Sequence, residues 1–550
     1  MRLQALILAA SLLAAGAAHA DAVRDCTSDD ATTGAAPETS EVASHRLFDV
    51  APISYTKAAK DQIFGLTVKV LVGEDGSVVC LQKEDTPFSQ DSPATPERTA
   101  YRSVMAAWSY QPFLVDGQPA RVYVEEYVPE QILPATHVDM PPGDLSDTSV
   151  TLERDGCFGT CPSYSVTVHG DGGVDYTGGG FVDIDGQHHY QIPPGEAAAL
   201  IERLRARDLW SMQPQYVASI TDSATYTLTI VVAGQSKVIV DYVGGMVGMP
   251  AAIGEAEADV DSVAHVDGMI HLSMDGLKVL EDEHFPFVSQ AGADLLARAT
   301  ADHRAHDDAL AALVGLGAPV EGGKANIGWG PPPAAQSLLS VALVNRHAAL
   351  VDPLIARGAL QTAGKPDQAK IDAAFRDAIV GGRLAPVQRL WQEAGATAHP
   401  ALTFTDTTDD PAPSGGVKPA VTAPVTLLLA RPWNDNAWEG ADIAKWLIAQ
   451  GCDAKAHGAD GRTLLHIAAA ANSADFVRYL LDLGMDPSTP GRYGLPALGS
   501  TQSEDVALIL LSAGTTFTTW EGGVTDFRNY AKNNDWKRVL AWLDAHPPTK

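Results

Sequence analysis

Two cysteines that lie four positions apart, Cys157 and Cys161, are the residues whose types and spacing could most directly do chemistry. A disulfide needs Cα atoms about 4.4–6.8 Å apart, whereas four residues of a straight strand span roughly 13 Å. A bond therefore requires a turn, which Gly159 and Pro162 favour. The sequence predicts a structural disulfide here. A redox-active pair, a metal site and free thiols are the alternatives.

These alternatives fit the spacing less well. Redox pairs of the thioredoxin type have two residues between their cysteines, and no cationic side chain lies between Cys157 and Cys161 to lower a thiol pKa. A zinc site needs further ligands, and no second pair stands at a suitable spacing. Cys26 and Cys80 are the remaining candidates for a pair, and their bond would tie the N-terminal segment to the first domain.

Adjacent histidines, His188 and His189, suggest a metal site, with His169 and Asp183 or Asp185 nearby in sequence. Neighbouring residues of a strand point to opposite faces, so the two imidazoles cannot easily share one ion. The sequence favours exposed loop histidines.

Motifs of the common catalytic sites are missing from the chain. The glycines at 178–180 are not followed by Gly-Lys-Ser/Thr, so they do not form a phosphate loop. Neither G-x-S-x-G nor H-E-x-x-H occurs, and there is no D-x-D-x-D-G calcium loop. The sequence therefore predicts no catalytic residue, no metal and no cofactor.

Composition sets the class of protein. The chain has 550 residues, of which 45 % are hydrophobic, so a folded protein of three or four domains is expected. Its 68 acidic residues against 38 basic ones give a net charge of −30. This balance argues against binding to nucleic-acid phosphates and against docking on anionic membranes.

The first 20 residues have the pattern of a secretory signal. Arg2 precedes an apolar run that ends in Ala18-His19-Ala20, a small-x-small cleavage pattern. No later stretch reaches the ~18 apolar residues that span a bilayer. The mature protein is therefore expected to be soluble, periplasmic or secreted, and not inserted in the membrane once the signal is cleaved. Residues 21–45, rich in Asp, Thr, Ala and Ser, are predicted to be a low-order leader.

Residues 46–135 predict a first α+β domain. Strands are expected at 64–72, 78–81 and 121–128, with a turn after the first strand and a helix at 99–107. The segment resembles the C-terminal domain of the TonB energy transducers. The matching residues are Tyr55, Gly65-Leu66-Thr67-Val68, Glu74-Asp75-Gly76-Ser77-Val78, Trp108-Ser109-Tyr110-Gln111-Pro112 and Asp116-Gly117-Gln118-Pro119-Ala120. The resemblance implies the fold of that domain. The last strand could offer an edge to an added strand, or that edge could be covered.

Residues 147–275 predict a second α+β domain. Strands are expected at 150–154 and 164–168, a hairpin at 225–242 and a closing helix at 259–269. A helix over 196–207 should bury Ala197, Leu200, Ile201 and Leu204, which have the spacing of one helix face. The segment resembles a bacterial domain of unknown function, number 6438. It shares Cys157 to Pro162, Tyr164-Ser165-Val166, Tyr216 to Asp222, and the strand with Lys237, Val238, Asp241 and Tyr242.

Residues 290–550 are rich in Ala and Leu and form recurring helical pairs separated by glycine-containing breaks. A period near 33 residues is typical of a helical solenoid. The best copy, at 460–487, resembles an ankyrin repeat through Thr463-Leu464-Leu465-His466-Ile467-Ala468. The resemblance implies structural roles for Thr463, His466 and Ala468, and a buried unpaired position for Cys452. A loop insertion is expected at 403–419 and a terminal cap at 526–546.

The predicted architecture is therefore multidomain: two small α+β domains followed by an all-α ankyrin-like helical solenoid. Such a solenoid offers an extended surface for protein partners. We expect an exported protein that binds an unidentified protein partner through its repeats, without catalytic activity. A basic partner, as for an immunity-type binder, would suit the acidic charge. The alternative is a periplasmic enzyme or redox protein that uses the Cys157/Cys161 region.

Overall fold

The chain divides into two compact units, Met1–Ile270 and His271–Lys550. The first is rich in sheet and the second is helical. The computed structural model describes residues 22–33, 37, 39–55, 65–82, 95–115, 117–324, 337–394, 404–405, 421–422, 425, 427–428, 439–458, 461–491, 494–516, 523–534 and 536–546. The signal predicted at 1–20 and most of the insertion predicted at 403–419 lie outside these residues. No helix in the described part of the chain is long and apolar enough to cross a membrane.

The N-terminal part of the first unit is built on a small antiparallel sheet. Its strands have the order β3-β2-β6, and β1 pairs in parallel with β7. The elements are α1 (Thr39–His45), β1 (Ile53–Tyr55), β2 (Leu66–Val72), β3 (Val78–Leu81), α2 (Pro96–Met105), β4 (Leu114–Val115), β5 (Gln118–Pro119), β6 (Val122–Val128) and β7 (Glu130–Ile132). Among them β2, β3, α2 and β6 follow the predicted order of strand, turn, strand, helix and strand, whereas α1 and the short strands β1, β4, β5 and β7 were not predicted.

Helix α2 begins three residues before the predicted start. The Thr95 side chain accepts the backbone N–H of Arg98 at 3.2 Å, and Pro96 occupies the first turn. Both features fix a helix N-terminus. Tyr101 and Met105 are then buried in one core with strands β2 and β6.

Two buried acids hold this part of the unit together. Glu126 accepts hydrogen bonds from Arg46 Nε at 3.0 Å and from the Tyr110 hydroxyl at 3.1 Å. Glu130 accepts hydrogen bonds from both Nε and Nη2 of Arg98, at 2.8 and 2.9 Å. The guanidinium groups balance the charge of carboxylates that water cannot reach.

Within the low-order leader that the sequence predicts at 21–45, the described residues 22–33 and 39–45 are ordered against the first sheet. Val23 and Val42 are buried in the core of the first sheet. The N–H of Cys26 donates to Leu81 O, and the N–H of Leu81 donates to Arg24 O, both at 2.9 Å. The segment thus pairs with the outer edge of β3. Its composition is polar, but a few buried apolar side chains, pairing with an open strand edge and the Cys26–Cys80 pair all tie it to the sheet.

The rest of the first unit surrounds a seven-stranded sheet of order β11-β10-β9-β8-β13-β14-β12. Its elements are β8 (Thr148–Arg154), β9 (Tyr164–His169), β10 (Gly173–Gly178), β11 (Gly186–Gln191), α3 (Pro194–Ala206), β12 (Gln215–Val217), β13 (Tyr226–Val232), β14 (Gln235–Tyr242), α4 (Ala251–Val263) and α5 (Val266–Ile270). The buried residues of α3 are the predicted Ala197, Leu200, Ile201 and Leu204.

The single closing helix predicted at 259–269 is wrong. Two helices, α4 and α5, occupy this stretch, and α4 begins eight residues earlier. His265 between them has a φ of 52°, in the left-handed region that a continuing helix cannot contain.

The second unit consists of helices in stacked pairs. Its elements are α6 (Met274–Asp282), α7 (Gln290–Ala301), α8 (Asp307–Gly315), α9 (Leu338–Val344), α10 (Ala348–Ala356), β15 (Gln361–Thr362), β16 (Lys365–Pro366), α11 (Gln368–Gly381), α12 (Leu384–Ala394), β17 (Phe404–Thr405), β18 (Val421–Thr422), α13 (Gly440–Ala449), α14 (Leu464–Ala470), α15 (Ala474–Asp482), α16 (Glu504–Ser512), α17 (Gly523–Asn533) and α18 (Lys537–Ala545). A 3₁₀ turn, Ala497–Ser500, takes the place of a helix before α16.

The pairs stack side by side. Helix α9 packs between α7 and α11, while α10 packs between α8 and α12. The glycines that the sequence identifies as breaks end the outer helices, and those described have φ between 76° and 98°, where glycine is favoured. They are Gly317, Gly358, Gly451, Gly484 and Gly514. The break at 395–396 lies outside the described residues.

Candidate functional site

The repeat built from α14 and α15 contains the three residues that the sequence singles out. Thr463 precedes α14, and its hydroxyl accepts the N–H of Leu465 at 3.3 Å. The backbone N–H of Thr463 donates to His466 Nδ1 at 3.1 Å. Because Nδ1 accepts this bond, a neutral imidazole has its proton on Nε2. Ala468 is fully buried inside α14.

His466 also joins its repeat to the next one. Its Nε2 lies 3.2 Å from the carbonyl oxygen of Leu495 and donates to it. The turn around that carbonyl comes close to the imidazole, since a Cβ added at Gly491 would lie 2.4 Å from Nε2. Only glycine fits there without movement of the ring. His466 is 2 % exposed, so its two ring nitrogens are held inside the stack of repeats.

Two further buried histidines play a similar part, and sequence reasoning missed both. His347 Nδ1 lies 2.8 Å from Asp307 Oδ1, and its Nε2 lies 3.0 Å from Asp302 O. His271 bonds to the side chain of Asp302. Neither histidine has a threonine three residues before it, so the motif that identifies His466 is absent.

The surface of this repeat includes a hairpin turn ahead of α14. His457 bridges to Thr463 across it, and the N–H of Gly458 donates to Arg462 O at 2.9 Å. His457 is exposed. On the outer helix α15 of the same repeat, Arg478 is exposed and forms an ion pair with Asp475 at 3.1 Å. Such an exposed surface can bind another molecule.

The cysteines fall into two close pairs and one buried thiol. Cys26 and Cys80 have Cα atoms 5.0 Å apart, and Cys157 and Cys161 have Cα atoms 5.5 Å apart. Both distances lie within the disulfide range. Cys452 has no sulfur partner among the described residues, and burial raises the pKa of its thiol to about 11. A thiol of that kind is a poor nucleophile.

One group of side chains has the composition of a metal site. Ligand atoms of Cys26, Asp30 and Cys80 lie within 4.8 Å of one another. The two sulfur atoms stand at bonding distance, however, and a disulfide offers no thiolate to a metal.

His188 and His189 lie on strand β11 and not in the predicted loop. His189 Nδ1 bonds to Asp175 Oδ1 at 2.7 Å, and His169 Nε2 bonds to Asp175 Oδ2 at 2.8 Å. These two hydrogen bonds lower the pKa of Asp175. The structure therefore brings His169 to His189 through Asp175, whereas His188 contacts the backbone oxygen of Asp185 at 3.0 Å.

Comparison with protein families supports two of the three resemblances. The family model of a domain of unknown function (DUF6438) matches residues 148–264. The model for ankyrin repeats (3 copies) matches residues 436–519. Residues 436–519 are thus similar to ankyrin repeats. Neither match extends over residues 46–135, so the resemblance to the TonB domain stays a prediction.

Solved ankyrin structures are among the similar folds. The human ASB11 ankyrin repeat domain has 20 % sequence identity and a TM-score of 0.27, covering 40 % of this chain and 85 % of its own. The ankyrin repeat domain of Bcl-3, a member of the IkappaB family, has 17 % identity and a TM-score of 0.25, covering 43 % and 90 %. No curated protein matches this chain.

Proposed function

We propose that this chain is an exported protein that binds a protein partner through its ankyrin-like repeats. The observation that carries the proposal is the ankyrin-repeat match at 436–519, together with helices that pack against those of neighbouring pairs. Stacked repeats present a continuous surface that single helices do not have, and repeat proteins use it for recognition. Thr463 and His466 support that surface by fixing one repeat on the next.

Export is supported by the signal pattern of residues 1–20 and by the two cysteine pairs. Both pairs stand at disulfide distance in the first unit. Disulfides persist in oxidising compartments such as the periplasm or the extracellular space. We assign both pairs a structural role.

The first unit is proposed to comprise two small α+β domains, one similar to the C-terminal domain of TonB and one to DUF6438. They would orient the repeats or localise the protein. The outer edge of β3 pairs with residues 24–26 and is therefore not open to a partner strand.

The proposal is tested by crosslinking and capture from the exporting cell, with the full chain as bait. We expect one protein to be recovered, and His457→Glu, in the exposed hairpin turn, to lower its recovery about tenfold or more. The matched control, Arg478→Glu, changes one exposed side chain on the outer helix and should leave recovery unchanged. Intact mass of the bait should show a chain that begins at Asp21.

A chain that ends after residue 285, before α7, should lose the partner. Recovery of the same partner with this shorter chain would contradict binding through the repeats and move the interaction to the first unit. If no partner is recovered with either chain, the interaction proposal fails, and an enzyme or redox assay on the Cys157/Cys161 region is the next step.

A further inference from the structure

A row of polar side chains crosses the large sheet at the end where the Cys157–Cys161 loop joins β8 to β9. Tyr164 pairs in direct register with Arg154, Arg154 with Tyr226, and Tyr226 with Asp241. Residues directly opposite each other in antiparallel strands project from the same face. The four side chains therefore share one face of the sheet.

Helix α4 adds two acids to this row, Glu257 and Asp261, one helical turn apart. The Tyr164 hydroxyl donates to the Asp261 carboxylate, with both oxygens within 2.8 Å. Asp241 accepts the N–H of Gly244 at 2.6 Å. Glu257 is 7 % exposed, and its Oε1 has no hydrogen-bond partner among the described residues. A buried carboxyl oxygen without a partner is costly, and more so when charged.

The charges around Glu257 do not offset the cost of burying its carboxylate. Asp241 of β14 and Asp261 of α4 itself both repel a negative charge there, and Tyr226 of β13 faces the same group. Arg154 of β8 places its guanidinium over the Tyr226 ring, 5.2 Å from the centroid, and its buried Nε has no partner in the part of the chain that the structure describes.

Arg203 of the neighbouring helix α3, and Arg207 directly after that helix, are engaged by other acids of α4. Arg203 and Arg207 bond to Asp259 at 2.9 and 2.6 Å, and Arg207 also reaches Glu255 at 3.3 Å. From α5, Asp267 adds a further negative charge beside Asp261.

Burial and the neighbouring charges of Asp241 and Asp261 all disfavour the charged form of Glu257. Burial first, then the charges of Asp241 and Asp261, raise the pKa of Glu257 to about 8. Burial likewise raises the pKa of Asp261 to about 6, although the Tyr164 hydrogen bond opposes it. Burial also raises the pKa of Asp241.

We propose that Glu257 makes the docking of α4 on the sheet a pH-sensitive latch, which is tight while the carboxyl keeps its proton and weakens when the proton leaves. This inference does not depend on the proposed binding function. The latch lies beside the loop that contains Cys157 and Cys161, since Arg154 and Tyr164 flank that loop. Its state therefore governs how firmly this end of the domain is held.

The direction of the pH effect follows from linkage. An undocked Glu257 titrates at its ordinary pKa of 4.5, whereas in the docked state the pKa is about 8. Docking is therefore strongest below about pH 4.5 and weakens progressively until about pH 8, above which this group adds no further change. The largest slope that one carboxyl can give is tenfold in the opening equilibrium per pH unit.

Hydrogen exchange of the full chain tests the latch. Protection of amides 251–263, corrected for the intrinsic exchange rate at each pH, should fall at least tenfold between pH 5 and pH 8. Glu257→Gln resembles the protonated side chain and should remove most of that fall. Glu255→Gln, an exposed change on the same helix, is the matched control and should keep the wild-type profile.

Asp241→Asn provides a second variant if Glu257→Gln disturbs the fold. It removes a neighbouring negative charge, so the pKa of Glu257 should drop and the fall in protection should become smaller. The proposal is overturned if neither variant changes the profile. It is also overturned if amides of α14 in the other unit lose protection in parallel, because the effect would then not belong to α4.

Discussion

At the scale of single residues, the sharpest feature is the imidazole of His466, which satisfies two backbone groups at once. It accepts from Thr463 within its own repeat and donates to Leu495 of the next. One side chain therefore both caps a helix and joins two repeats. Removal of the ring would leave the buried N–H of Thr463 and the part-buried C=O of Leu495 without these partners.

We expect His466→Ala to lower the local stability of its repeat by about 2–4 kcal/mol, since a buried orphaned group costs about 1–3 kcal/mol and the part-buried Leu495 carbonyl adds about 1 kcal/mol. Hydrogen exchange at α14 measures this, and 2 kcal/mol corresponds to about a thirtyfold loss of protection. His457→Ala in the same repeat removes an exposed ring and should change protection little. Equal effects of the two substitutions would show that the inter-repeat bond contributes nothing.

The scale of secondary-structure elements shows how far the sequence predicts this fold. Helix α3 was predictable because its sequence contains four apolar residues at the spacing of one helix face. These four are the residues that the helix buries. The hairpin of β13 and β14 was predictable from alternating apolar residues around Ala233-Gly234, both of which have positive φ. In these stretches local chemistry and burial agree.

Strand β11 gives no such signal, and in β10 the alternation is confined to Val174-Asp175-Tyr176-Thr177. The sequence of β10 begins and ends with glycine, and β11 reads Gly-Gln-His-His-Tyr-Gln at the edge of the sheet. Glycine and polar residues have low strand propensity, so sheet pairing decides their structure: β10 pairs with β9, and β11 pairs with β10. The same holds for the acid cluster around Glu257. Asp241 and Glu257 are 16 residues apart, and only the sheet and α4 bring them together.

The two cysteine pairs enclose loops of very different length, which leads to an element-scale prediction. Cys26 and Cys80 are 54 residues apart, whereas Cys157 and Cys161 are four apart. A crosslink removes more entropy from the unfolded chain when its loop is longer, about 4 kcal/mol against about 2 kcal/mol. Cys26→Ala/Cys80→Ala should therefore destabilise the first unit more than Cys157→Ala/Cys161→Ala.

Urea unfolding without reductant measures this difference. Wild-type protein with its disulfides reduced should lose at least as much stability as Cys157→Ala/Cys161→Ala, the variant expected to be less destabilised. The reverse order of the two double variants would mean that the N-terminal segment is held mainly by Val23 and Val42 and not by its crosslink.

At the scale of the whole molecule, the negative charge is unevenly distributed. Residues 1–270 contain 37 acidic and 15 basic side chains, a net charge of −22, whereas residues 271–550 contain 31 and 23, a net charge of −8. These two ranges are the two compact units of the chain. Self-repulsion among like charges destabilises a compact state, and salt screens it. The first unit should therefore depend on ionic strength more than the second.

We expect calorimetry of the full chain to resolve two transitions, of which reductant lowers only one, because both cysteine pairs lie in the first unit. An increase of NaCl from about 10 to about 300 mM should raise the midpoint of that same transition by about 2–5 °C and leave the other nearly unchanged. KCl at equal ionic strength should act alike, since screening depends on charge and not on the identity of the cation. If salt shifts both transitions equally, the cause is a general effect on the protein surface, and the uneven charge has no influence on stability. A shift confined to the reductant-insensitive transition would contradict the electrostatic argument outright, because the repeats carry the smaller net charge.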